Sequence, residues 1–83
     1  MMEGMELDAA EATRIVRAYF QEQSGPVGVL FFRVESVKPN SKEDVYIVRC
    51  SFYPAPGTPQ PTRYEVKVNT KTKNIIDVQE LKE

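Results

Sequence analysis

Thr62-Arg63-Tyr64-Glu65-Val66-Lys67-Val68-Asn69 alternates without interruption, with Tyr64, Val66 and Val68 on one side and Arg63, Glu65 and Lys67 on the other. A period of two over this length is that of a β-strand with one buried and one wet face. Such a strand needs its apolar face covered and its edges paired. The rest of the chain is therefore read as what covers and extends it.

Asp8 offers a helix N-cap, with Glu11 at the capping-box spacing. Ala9, Ala12, Ile15, Val16, Tyr19 and Phe20 follow at helical intervals and form one apolar stripe, opposed by Arg14, Arg17, Gln21 and Glu22. Ser24-Gly25-Pro26 is a stop signal, so the spacing predicts a helix over 8–23. Residues 1–7 are read as a disordered tail.

Residues 27–37 and 45–53 are rich in β-branched and aromatic side chains and read as two strands, joined by a polar turn over 38–44. A loop over 54–61 holds four of the six prolines and leads into the strand at 62–69. A polar connection over 69–74 then gives a last strand over 75–81. Short links between successive strands make antiparallel neighbours. The expected fold is α+β: one domain over 1–83, with an N-terminal helix packed on a four-stranded antiparallel meander, a two-layer sandwich.

The hairpin Tyr64-Glu65-Val66-Lys67-Val68-Asn69-Thr70-Lys71-Thr72-Lys73-Asn74-Ile75-Ile76, preceded by an Ala-rich helix, resembles the carboxy-terminal half of a PepSY domain. The helix-then-strands order is similar to cystatin-like folds. The usual turn glycine of the PepSY hairpin is replaced by Lys73, so Lys73 or Asn74 has to take any left-handed position. The Pro-rich loop departs from the PepSY pattern, as does the lack of an export signal, since these domains are mostly extracytoplasmic. The resemblance implies a binding or inhibitory module, a protease inhibitor by analogy, rather than an enzyme, and it transfers no functional residue.

Composition narrows the chemistry. A single cysteine, Cys50, forms no intramolecular disulfide and suits a reducing compartment. The acidic amino terminus is not a signal peptide, and no apolar run has membrane-spanning length, so a cytoplasmic location is expected. The chain has no His, the usual neutral-pH acid and base. Cys50 lies on the inward face of its strand and reads as a small core hydrophobe. The carboxylates show no metal-ligand spacing, and the four glycines form no phosphate loop. No catalytic, metal or cofactor site is therefore expected.

What remains is the sheet face turned away from the helix. Leu30, Phe32, Val34, Tyr46, Val48, Cys50 and Phe52 are expected to face the helix with the Tyr64 side of the opening strand. That sends Val29, Phe31, Arg33, Glu35, Val45, Ile47, Arg49, Ser51 and Tyr53 outward. Phe31, Ile47, Tyr53 and the two valines would form an apolar patch rimmed by Arg33 and Arg49, a surface for self-association or a protein partner. Arg33, Arg49 and Arg63, one from each of three strands, pose an alternative, an anion or single-stranded nucleic-acid site with Phe31 and Tyr53 as stacking platforms. Glu35 and Glu65 on the same face, and a net charge of −1, favour cross-strand ion pairing instead. Pro56 to Pro59 has PxxP spacing and reads as a stiffened connection. The long apolar first strand reads as an unguarded sheet edge, and the last strand as an edge guarded by Asp77.

Overall fold

The computed structural model describes residues 7–24 and 29–82. Helix α1 spans Ala9–Ser24, and four strands follow: β1 Leu30–Asn40, β2 Val45–Tyr53, β3 Thr62–Asn69 and β4 Ile75–Leu81. The strands form one antiparallel sheet in the order β1-β2-β3-β4, with α1 on one face, the expected α+β arrangement. Gly25, Pro26 and Gly28 lie outside the described residues.

The start of α1 follows from two local devices. The Asp8 carboxylate accepts the Glu11 N–H at 2.8 Å, the N-cap bond that satisfies an otherwise orphaned donor. Leu7, just before the cap, is buried in the same cluster as Ala12, a hydrophobic staple across the cap. Leu7 also donates its N–H to the Thr70 carbonyl at 3.1 Å. Its inclusion in a loose tail is therefore corrected; residues 1–6 lie outside the described residues.

Ala12, Val16 and Phe20 form the buried line of the helix, flanked by half-buried Ile15 and Tyr19, while Ala9 is exposed rather than part of the stripe. Facing them are Val48, Cys50 and Phe52 of β2 and Val66 and Val68 of β3. Phe20, Phe52 and Tyr64 meet with ring centroids 4.8–5.5 Å apart, and Phe32 lies 6.4 Å from Phe52. Aromatic rings bury more area per residue than any other side chain, so this end of the sandwich carries much of the hydrophobic stabilisation.

The β1–β2 and β3–β4 turns use the same device. The Asn40 side-chain oxygen accepts the N–H groups of Lys42 and Glu43, and Asp44 closes the turn at φ 57°. The Asn69 side-chain oxygen accepts those of Lys71 and Thr72, and Lys73 closes the turn at φ 67°. Lys73, not Asn74, thus takes the position that glycine would fill. The two turns lie side by side and are joined, since the Asp44 carbonyl accepts both the N–H (2.9 Å) and the hydroxyl (3.1 Å) of Thr70.

Strand β1 departs from its expected course. It begins at Leu30 and runs on through Pro39 to Asn40, and two bulges interrupt its pairing with β2, between Leu30 and Arg33 and between Val34 and Ser36. The first bulge, where Phe31 has φ 57°, inserts one residue and reverses the phase before it. Val29 therefore enters the core, and Leu30 pairs with Tyr53 on the outer side, the reverse of the expected assignment. The second bulge lets Val37 join Phe32 and Val34 against the core. Two bulges, Lys38 and Pro39 guard this edge, so the reading of β1 as an unguarded edge is also corrected.

Candidate partner-binding face

No described element covers the sheet face opposite α1, so its surface is set by the sequence of each strand. Across β1, β2, β3 and β4, the rows read Arg33–Ser51–Arg63–Leu81, Ser36–Arg49–Glu65–Gln79 and Lys38–Ile47–Lys67–Asp77. Opposite charges settle on one another between strands. Arg63 grips Glu35 with its Nε and one terminal nitrogen, at 2.8–3.2 Å. Arg49 donates to Glu65 at 3.0 Å, and Lys67 to Glu43 at 3.2 Å. The Arg63 hydrogen bonds hold the Glu35 carboxyl below its ordinary value of 4.5, against an opposing effect of burial and with help from the positive charges of Arg63, Arg33 and Arg49.

The expected patch of Phe31, Ile47, Tyr53 and two valines is only partly assembled. Val29 is in the core, and Val45, although outward by alternation, is fully buried. Ile47 and Tyr53 are half-buried. Ile47 sits between Lys38 and Lys67 in the register of the sheet. Phe31 stands apart at 82% exposed. Its ring meets Tyr53 edge-on at a centroid distance of 5.9 Å. A hollow of about 390 Å³ opens beside them, lined by Leu30, Phe31, Tyr53 and residues 55–58.

The floor of that hollow is a tight turn. Thr58 donates both its N–H (3.3 Å) and its hydroxyl (2.7 Å) to the Ala55 carbonyl, and Gly57 has φ 85°. Proline followed by a left-handed glycine is the pattern of a type II turn. It breaks the extended run that PxxP recognition needs, in keeping with the reading of this loop as a stiffened connection.

Phe31 is the odd residue of the face. A bulky aromatic at positive φ is a steric outlier, and burial of the ring does not offset the strain. Of the five residues singled out in the sequence, Phe31 and Tyr53 come together at one end of the face. Arg33 flanks them one row away, and Arg49 and Ile47 lie further along. Leu30 and Pro56 complete the hollow and were not foreseen. The signal for Leu30 was hidden, because strict alternation assigns it to the core unless the bulge is known.

Elsewhere the described residues offer little reactive chemistry. Burial pushes the Cys50 thiol up to about 12, with a smaller contribution from the Glu35 charge, so it holds no nucleophilic thiolate near neutral pH. No group of three or more metal-ligating side chains occurs among the described residues, and no helix there is long and apolar enough to cross a membrane. Comparison with protein families, with curated proteins and with solved structures finds no significant match.

Proposed function

We propose that the protein is a non-catalytic association module that docks a second copy of itself through the outer sheet face, with Phe31 as the anchor. The observation that carries this reading is a fully presented aromatic ring held in a strained backbone beside an apolar hollow. An exposed aromatic next to a pocket is what an interface hot spot looks like before its partner arrives. The face also carries both charge signs, mixed within two of its three rows, and a surface of mixed sign can meet a rotated copy of itself with plus against minus. The nucleic-acid alternative is weaker, because Arg49 and Arg63 already hold carboxylates. Protease inhibition rests on the PepSY and cystatin resemblance alone.

The test is solution mass by light scattering across a dilution series. The wild-type chain is expected to pass from dimer to monomer on dilution, and Phe31→Asp to remain monomeric with unchanged circular dichroism. Phe31→Gly separates anchor from scaffold. It relieves about 1–2 kcal/mol of left-handed strain while adding about 0.5–1 kcal/mol of chain entropy to overcome on folding, so stability changes little while association is lost. Dimers of undiminished affinity in both variants would refute the role given to Phe31.

A further inference from the structure

Helix α1 packs mainly on β1, β2 and β3, and less on β4. Between them runs a groove of about 910 Å³, on the side of the molecule opposite the Phe31 edge. Ile15, Ala18 and Tyr19 form its helix wall, and Ile75 and Val78 its strand wall. Ile76, displaced by a bulge opposite Lys67 and Val68, stands 54% exposed at its rim.

The strand beside this groove is an open edge. Asn69 exchanges backbone hydrogen bonds with Asn74 (2.8 Å) and Lys73 (2.9 Å), which fixes the phase of the β3–β4 ladder. By antiparallel alternation, Lys67, Glu65 and Arg63 then face Asp77, Gln79 and Leu81 with their backbone groups, and the N–H and C=O groups of Val78 and Glu80 point outward. Unlike β1, with two bulges and a proline, β4 pairs regularly from Asp77 to Leu81.

Charge identifies what fits there. Glu22 and Asp77 line the groove, and Glu80 follows along the edge. None of the three forms an ion pair with a described residue, whereas the one lysine on the groove, Lys73, is held by Glu11 at 3.2 Å. A second β4 would bring its own Asp77 and Glu80 against this acidic edge, which disfavours pairing between copies.

We infer that the β4 edge and the α1–β4 groove together accept an extended basic segment of a partner protein as a fifth strand. A residue opposite Val78 faces the groove and is apolar. Lysine or arginine opposite Asp77, on the outer side of the strand, and opposite Glu80, on the groove side, meets the free carboxylates. Main-chain bonds to Val78 and Glu80 supply the affinity, and the alternating side chains supply the selection.

The probe is a fluorescein-labelled decapeptide of Lys-Val-Val repeats, which sets Val opposite Val78 and Lys opposite both Asp77 and Glu80 in either strand direction, followed by fluorescence anisotropy and by backbone amide NMR. Saturable binding with shifts confined to β4 and the groove wall of α1 is expected. The same peptide with Glu for Lys should bind at least about tenfold more weakly, a difference that shrinks with added salt. Glu80→Pro removes the outward N–H at an edge position that tolerates proline, and should abolish binding with the fold intact. Should that variant fail to fold, the double variant Asp77→Asn, Glu80→Gln carries the test through a loss of at least about tenfold. Phe31→Asp should leave peptide binding unchanged, which separates this site from the outer face. Equal binding of the Glu peptide, full binding to both edge variants, or no saturable binding of the Lys peptide would overturn the inference.

Discussion

Phe31 and Cys50 show how one residue's backbone or burial decides its role. Phe31 was singled out for its ring, but the decisive property is its φ of 57°, which no alternation pattern encodes. The same bulge explains why Val29 and Leu30 exchange faces. Strand phase propagates from the regular end, and one inserted residue inverts everything before it. Cys50 behaved as its position suggested, enclosed between strand and helix. Its thiol ordinarily ionises near 9.0 and is held neutral to about 12 in the folded chain. The folded state therefore keeps a proton that the unfolded state gives up, and the stability contributed is complete below pH 9.0 and lost as pH rises through about 12. Denaturant titrations between those limits should show stability falling with pH. Cys50→Ala should flatten part of that slope, and Tyr64, raised mainly by burial, leaves a remainder.

At the level of elements, β2, β3 and β4 begin and end where the sequence places them, because turn chemistry and alternation agree there. Helix α1 is shifted by one residue and β1 by three. In β1, apolar residues on both sides of the strand give no phase, and the polar run from Lys38 to Asn40 looks like turn although it continues the ladder. The outer-face ion pairs were legible as Arg and Glu on facing strands. The groove beside α1 was not, because it depends on where the helix axis lies rather than on its stripe. The paired asparagine turns were also missed, although Asn-Ser-Lys and Asn-Thr-Lys both stand in the sequence. Each Asn oxygen satisfies two N–H groups that would otherwise need water. Asn69→Ala should cost about 1–2 kcal/mol in denaturant unfolding, whereas Lys73→Gly should stabilise by up to about 1 kcal/mol through relief of its positive φ. A negligible effect of Asn69→Ala would mean that solvent replaces the turn bonds without loss.

The whole molecule has two unlike ends. The outer face gathers Phe31, Tyr53 and the proline turn at one end, and polar hydrogen bonds dominate at the other. At that second end Thr70 receives the Leu7 N–H and donates twice to Asp44, so three stretches far apart in the chain meet at one residue. This has a kinetic consequence. Each hairpin is local and closes early, but the Thr70 junction requires the helix start and both turns to be in place together. Such contacts close the longest loops, and the expectation is that they form after the rate-limiting step. Removing the hydroxyl with Thr70→Ala should therefore leave the refolding rate unchanged and speed unfolding by roughly two- to tenfold in stopped-flow chevrons. A slowed refolding limb would instead place Thr70 in the nucleus. On this view the junction acts as a latch on the finished protein: it does little to guide the chain to its fold, and it governs how long the chain stays there.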